Sequence, residues 1–460
     1  MREKTMRVSL LASAMVAMEI SSAGCGSGAS PGGEADAQAN SDAQATSLAS
    51  SPLAREAAVL DDTEKTDLAT SLSGFAFSLW QEVRREPFAA GNYAFSPASL
   101  SLALGMAYAG AKSSTASQME TAMHVANPGA AYLRSLNWLD QQLASRAGDA
   151  LKIAQDRYTR SAIGSAPNPA DYRLHVVNAC WGDRTLSFEP SYLDTLAADF
   201  GSGVHLADFL NQPEAERLAI NGWVAQETLD RIQDLLPPTA IASDTRVVLV
   251  NAIHLKLPWY EPFQQTSTRP GTFSKSDGST VSVPFMTNKT SLSYAEDDTV
   301  EAVSLPLAGQ AVEFIVFLPK PTTTLAQFED TLSPATMQSL VAGMKSQEIT
   351  LALPKFTFTT ASVPIAKALV ALGMIDAFSP TADFTGITRE RLHFSDAFHK
   401  AMIGVNENGL EAAAATAIGM TIGLVIANKE MTVDRPFFFG IYDRPTATWL
   451  FLGHVTDPSN

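Results

Sequence analysis

Two periodicities alternate along this chain. Residues 67–86, DLATSLSGFAFSLWQEVRRE, carry apolar side chains at Leu68, Leu72, Phe75, Leu79 and Val83, the spacing of one helix face. Residues 95–111, FSPASLSLALGMAYAGA, are apolar on most sides. Ser96 is placed to cap a helix there and Pro97 suits its first position, where a missing N–H costs little. A helix without a polar face is expected to be buried. Strand-like runs come later: RVVLVNAIHL (246–255), VEFIVFLP (312–319), ITLALPKFTF (349–358), FFFGIYD (437–443) and TWLFLGHV (448–455). β-Branched and aromatic residues crowd these runs, and Pro, Gly and Asp bound them. Helices early, strands late and no internal repeat predict an α+β architecture over a parallel α/β sheet.

One stretch fits neither periodicity at first sight. Residues 406–430, NENGLEAAAATAIGMTIGLVIANKE, are nearly free of charge between Glu411 and Lys429. As a helix, the alanine run is favourable, but Gly419, Thr421 and Gly423 weaken it. As a membrane segment, 410–427 has a Gly-xxx-Gly but carries Glu411 and falls short of the ~20 residues a bilayer needs. Read as a strand, alternate residues separate into two sets. Leu410, Ala412, Ala414, Thr416, Ile418, Met420 and Ile422 are apolar or nearly so, while Glu411, Ala413, Ala415, Ala417, Gly419, Thr421 and Gly423 are small or polar. That alternation runs much longer than a typical strand of ~5–6 residues. The stretch reads as able to be a loop at one time and a strand at another.

Composition narrows the function classes. Of 460 residues, 46% are apolar, ample for a large core, and the net charge of −16 repels phosphate backbones. No basic cluster suited to heparin or another polyanion is present, so neither nucleic acid nor heparin is expected as a partner. The two cysteines and seven histidines show no metal-ligand spacing. Cys180 lies in the apolar run VVNACW and is expected to be a buried thiol.

The N-terminus reads as an export signal over 1–25. Arg2, Lys4 and Arg7 precede an apolar stretch at 8–20 that is too short to span a bilayer. SSAGC at 21–25 resembles a bacterial lipoprotein cleavage site, which would make Cys25 the lipidated first residue, although Ser22 and Glu19 depart from that pattern. Plain secretion is the alternative. Residues 26–62 read as a flexible low-complexity tether, leaving a folded domain at 63–460. A membrane is then a partner only through the lipid anchor.

Catalytic signatures are lacking. No phosphate loop, G-x-S-x-G elbow or HExxH occurs. LHFSDAFHK holds Ser395, Asp396 and His399 too close together for a triad assembled from separate elements, so His399 is expected to be structural and the chain not an enzyme.

VNENGLEAAAAT (405–416) resembles the reactive-loop hinge of serpins. Further segments agree in the family's order: NYAFSPASLSLALGMAYAGAKSSTASQM, DTRVVLVNAIHLKLPWYEPF, FMTNK, LPKF, ALGMIDAF, ADFTGI, FHKAMIGVNENG and VDRPFFFGIYDRPTATWLFLGHVTDP. The likeness covers nearly everything from about residue 65 onward, with a longer connection over 157–172. It implies three β-sheets, eight or nine helices and an exposed reactive loop on a monomer without cofactor or metal. It also assigns residues. The hinge comprises Glu407, Gly409, Leu410, Glu411, Ala412, Ala413, Ala414, Ala415 and Thr416. Ser96, Ser99, Asn251 and His399 form the shutter, the polar cluster under the large sheet. Trp259 and Lys355 form the breach, where a Glu407–Lys355 pair is expected and where the loop begins to insert.

The function so implied is suicide inhibition. A target serine protease, or a papain-like cysteine protease, attacks the loop as a substrate and is trapped as an acyl-enzyme when the cut loop inserts into the large sheet. The family's usual spacing places the reactive bond at Gly423–Leu424. The loop is about two residues longer before RPFFF than in common members, so cuts after Leu424 or Val425 also fit. These residues are small or apolar, which predicts elastase-, subtilisin- or chymotrypsin-like targets. Leu410 stands where inhibitory members usually carry threonine or serine. A bulky inward leucine is expected to resist insertion, since overpacking costs ~1–3 kcal/mol. A non-inhibitory serpin acting in binding or surface interaction is the alternative function.

Overall fold

The computed structural model describes residues 47–161, 166–394, 397–411 and 429–459. Its first helix starts at a reciprocal cap. The Asp61 carboxylate accepts the Glu64 backbone N–H at 2.9 Å, and the Glu64 carboxylate accepts the Asp61 N–H at 3.0 Å. Helix α1 therefore runs Asp62–Val83, starting before its apolar stripe does. Helix α2 (Pro97–Tyr108) is buried at every residue, as its lack of a polar face predicts, and the Ser96 hydroxyl caps it by accepting the Ser99 N–H at 3.2 Å. Nine α-helices are present among the described residues.

Among the described residues the large sheet has seven strands: β1 (Leu48–Ala49), β2 (Arg173–Asp183), β3 (Val204–Ala207), β4 (Val247–Pro258), β5 (Phe356–Thr359), β6 (Met402–Asn406) and β7 (Gly409–Leu410). Across the sheet they run β1-β3-β2-β4-β7-β6-β5. Its inner face, with Leu255, Leu257, Ile403 and Val405, joins the main core shared with α1 and α2. Its outer face, with Val177, Trp181, Val250 and Ala252, packs on Ile220 and Val224 of helix α3 (Pro213–Glu227) in a second apolar cluster. Over β4 both faces are covered, which is why that strand reads as a continuous apolar run, whereas β5 alternates buried and exposed residues.

The two smaller sheets that the resemblance implies are continuous here. The strand Thr280–Glu296 spans 17 residues, pairing with Arg269–Ser274 near its start, with Lys345–Pro354 along its middle and with Val300–Pro306 at its end. One long strand thus joins both groups into a nine-stranded sheet, and the third sheet is a two-residue ladder of Val363–Pro364 with Phe398–His399.

Two segments differ from expectation. Residues 47–61, read within the tether, lie against the body: β1 pairs with β3, and Arg55 bonds Asn137 at 2.9 Å and Asp140 at 2.7 Å. Polar composition hid this because the contacts are mainly backbone and charge pairs. The connection at 157–172 begins as helix, since Ala130–Ser161 is one 32-residue element, and it ends in a 3-10 turn at Pro169–Asp171. Cys180 is fully buried as expected, and burial pushes its thiol pKa up to about 12.

Candidate functional site

Strand β7 is the entry of the alternating stretch into the large sheet. It is two residues long and sits between β4 and β6, antiparallel to both. Gly409 faces Pro258 and Leu410 faces Leu257 on one side, while Asn406 and Val405 face them on the other. Gly409 has φ +153°, and a Cβ there would stand 2.3 Å from the Leu257 carbonyl oxygen, so only glycine passes between the strands. Leu410 is 3% exposed and lies against Leu255, Ile403, Ile441 and Phe451, beside a residual void of ≈ 10 Å³. The bulky side chain expected to obstruct this entrance is therefore already seated in it. The next residue points to the opposite face. The Glu411 carboxylate accepts from His254 Nε2 at 3.2 Å and lies 3.5 Å from Arg231 Nε, which follows helix α3. The alternation read from sequence thus starts in phase: Leu410 inward, Glu411 outward.

The breach residues meet just before this strand. Trp259 Nε1 donates to the Asn406 carbonyl at 2.8 Å, and the Trp259 backbone N–H donates to Asn408 at 2.9 Å. Lys355 Nζ lies 2.8 Å from Glu407, whose carboxylate also accepts from the Thr268 hydroxyl at 2.8 Å. Burial raises the Glu407 pKa, but Lys355, its own backbone N–H and Thr268 outweigh this and hold it below the usual carboxylate range. The Lys355 side chain is 36% exposed and Glu407 only 7%, so the charge attraction is screened while the carboxylate's need for a donor is not. Lys355→Met is expected to lower the apparent thermal midpoint by an amount equivalent to about 1–3 kcal/mol. A further change of Glu407→Gln should recover part of it, as followed by circular dichroism.

The shutter residues are also brought together. Asn251 on β4 is the hub: its Nδ2 donates to the Ser99 carbonyl and to Asn178 Oδ1, each at 2.7 Å, and bonds the Ser99 hydroxyl. Its Oδ1 accepts from His399 Nδ1 at 3.1 Å, and His399 Nε2 accepts the Ser96 N–H at 3.0 Å. His399 is therefore neutral, with its proton on Nδ1, a structural imidazole. Burial alone pushes its pKa from 6.5 down to about 4. The unfolded chain then takes up a proton near pH 6.5 that the folded chain refuses until about pH 4. Stability from this group is complete above pH 6.5 and falls as pH drops, by on the order of 2 kcal/mol at pH 5. Thermal midpoints measured across pH 7 to 5 should fall more steeply for the native chain than for His399→Gln.

Every breach and shutter residue named from sequence falls into one of these two networks. Four partners were missed: Asn178, Thr268, and the two residues that meet Glu411, His254 and Arg231. Asn178 alone carried a signal, as the isolated polar side chain within VVNACW. Cys25, the hinge positions Ala412, Ala413, Ala414, Ala415 and Thr416, the reactive bond Gly423–Leu424, and Ser395 and Asp396 lie outside the described residues.

Residues 70–458 match the family model described as Serpin (serine protease inhibitor). An uncharacterized serpin-like protein of Thermococcus kodakarensis is 32% identical over 406 residues, covering 87% of this chain and 88% of that protein. Human Serpin B3 is 31% identical over 404 residues, covering 85% and 99%. The crystal structure of tengpin, a thermophilic serpin in the native state, superposes with a TM-score of 0.73 at 24% identity, over 89% of this chain and 97% of that one.

Proposed function

The chain belongs to the serpin family, and we propose that it inhibits serine proteases, and papain-like cysteine proteases, as a suicide substrate. The observation that carries this reading is β7, a strand of two residues already seated between β4 and β6. Continued residue by residue, its register brings Ala412 opposite Leu255, Ala414 opposite Ile253, Thr416 opposite Asn251 and Met420 opposite Val247, the first residue of β4. On the β6 side the same count brings Thr416 opposite His399. Each inward position of the stretch is small or apolar down to Thr416, which arrives between the two polar members of the shutter. Insertion of the cut loop must break the Asn251–His399 bond, and the threonine hydroxyl supplies a replacement partner for both.

In this reading the protease cuts at Gly423–Leu424 or within two residues after it. Its acyl-enzyme is carried along as 412–423 enters the sheet. Distortion of the protease then outruns deacylation. The inhibitor contributes bait and stored free energy, held by a kinetically trapped fold. The protein is proposed to act as an exported monomer tethered by lipid at Cys25; palmitate labelling lost in Cys25→Ala tests the anchor.

Incubation with elastase-, subtilisin-, chymotrypsin- and papain-like proteases tests the function. A complex surviving denaturing electrophoresis is expected, and mass spectrometry of the released C-terminal fragment locates the cut. Cleavage without such a complex by any of them overturns inhibition in favour of a non-inhibitory binding role.

A further inference from the structure

We propose that the cavity beside Trp259 is a binding site for a small aromatic amine. The cavity measures ≈ 230 Å³ and opens between the turn after β4 and the nine-stranded sheet. A cavity of about 150 Å³ accepts benzene, so this one has room for a single ring with a short chain. Trp259, Tyr260 and Phe263 line it together with Leu292, Leu305 and Leu351, the apolar surface a ring requires.

The charge selects the polar end of the ligand. Two carboxylates, Glu261 and Glu313, line the cavity, and no lysine or arginine lines it among the described residues. Glu313 is already matched, since Arg444 Nε donates to one oxygen and the Ser304 hydroxyl to the other at 2.6 Å. Glu261, which is exposed, accepts the Thr290 hydroxyl and forms no ion pair among the described residues. An ammonium group pairs with it through a charge-assisted hydrogen bond. Arg157 already lies over the Tyr260 ring, 5.0 Å from its centroid. An anionic ligand of the same shape meets two carboxylates and loses its hydration for nothing in return.

The location gives such a ligand consequence. Its neighbours Trp259 and Phe263 hold the backbone of the hinge, through the bonds to Asn406 and Asn408 and a Phe263 N–H to Glu407 bond of 2.9 Å. An occupant therefore touches the residues that hold the loop's entry into the sheet.

Isothermal titration of the full, uncut chain with phenethylamine tests the site without any protease, so the result is independent of inhibition. Saturable one-to-one binding is expected with a dissociation constant on the order of 0.1–1 mM. 3-Phenylpropionate, which carries the same ring on an anion, should bind at least about tenfold more weakly. Glu261→Gln should weaken phenethylamine about tenfold while leaving the thermal midpoint unchanged. Ser346→Trp, at the exposed rim, should block the cavity. No saturation by phenethylamine, equal binding of the acid, or binding unaffected by both variants overturns the proposal.

Discussion

Thr416→Arg is expected to be cleaved by a target protease at the native rate and to form no complex that survives denaturing electrophoresis. The β7 register explains the size of the effect. Thr416 must come to rest opposite both Asn251 and His399, which are 2% and 1% exposed. An arginine there buries a charge among neutral groups, with Ser96, Ser99 and Asn178 as the nearby polar partners and no carboxylate in the network. An unpaired buried charge costs several kcal/mol, and each 1.36 kcal/mol added to the insertion barrier slows it tenfold. Deacylation then wins, and the chain behaves as a substrate. Thr416→Ser, which keeps the hydroxyl, should retain most of the complex. A fully competent Thr416→Arg would mean that the stretch does not continue the observed register.

Asn251→Ala should lower the apparent thermal midpoint, measured at a fixed scan rate, by an amount equivalent to about 2–4 kcal/mol. Asn251 ties β4 to three separate elements: Ser99 of α2, Asn178 of β2 and His399 of the two-residue ladder. Its loss leaves Asn178 Oδ1, the Ser99 carbonyl and His399 Nδ1 each short of a partner in a buried layer, where unmade bonds are most expensive. It also removes the bond that keeps β4 closed against the His399 ladder below β7. The variant should therefore lose inhibitory activity on storage faster than the native chain, as uncut loops enter the loosened sheet. An unchanged midpoint would show that the network bears little on the fold.

Much of this architecture is readable without coordinates, and the reasons differ by element. The strands Val312–Pro319, Phe437–Asp443 and Thr448–Val455 start and stop where their apolar runs do, because proline, aspartate and glycine break pairing locally. The start of α1 was misjudged because its cap, Asp61 with Glu64, precedes the apolar stripe. Shutter and breach were legible through motifs whose order is shared with the family. Thr268 and the His254–Arg231 pair were not, since each meets its partner from a distant strand or loop and leaves no trace in local spacing. Leu410 taught the opposite lesson. Its size argued against entry, yet the space it needs is formed by Leu255, Ile403, Ile441 and Phe451, residues that no pattern around position 410 could reveal.

We propose that the segment between Glu411 and Lys429, once cut, has a place waiting for it between β4 and β6. Cutting the loop with a catalytic amount of an elastase-like protease, then comparing thermal unfolding of cut and uncut chains, tests this most directly. Insertion of a strand paired on both sides predicts a large rise in the midpoint of the cut chain. Cleavage confirmed by mass spectrometry, with an unfolding midpoint equal to or below that of the intact chain, would contradict it.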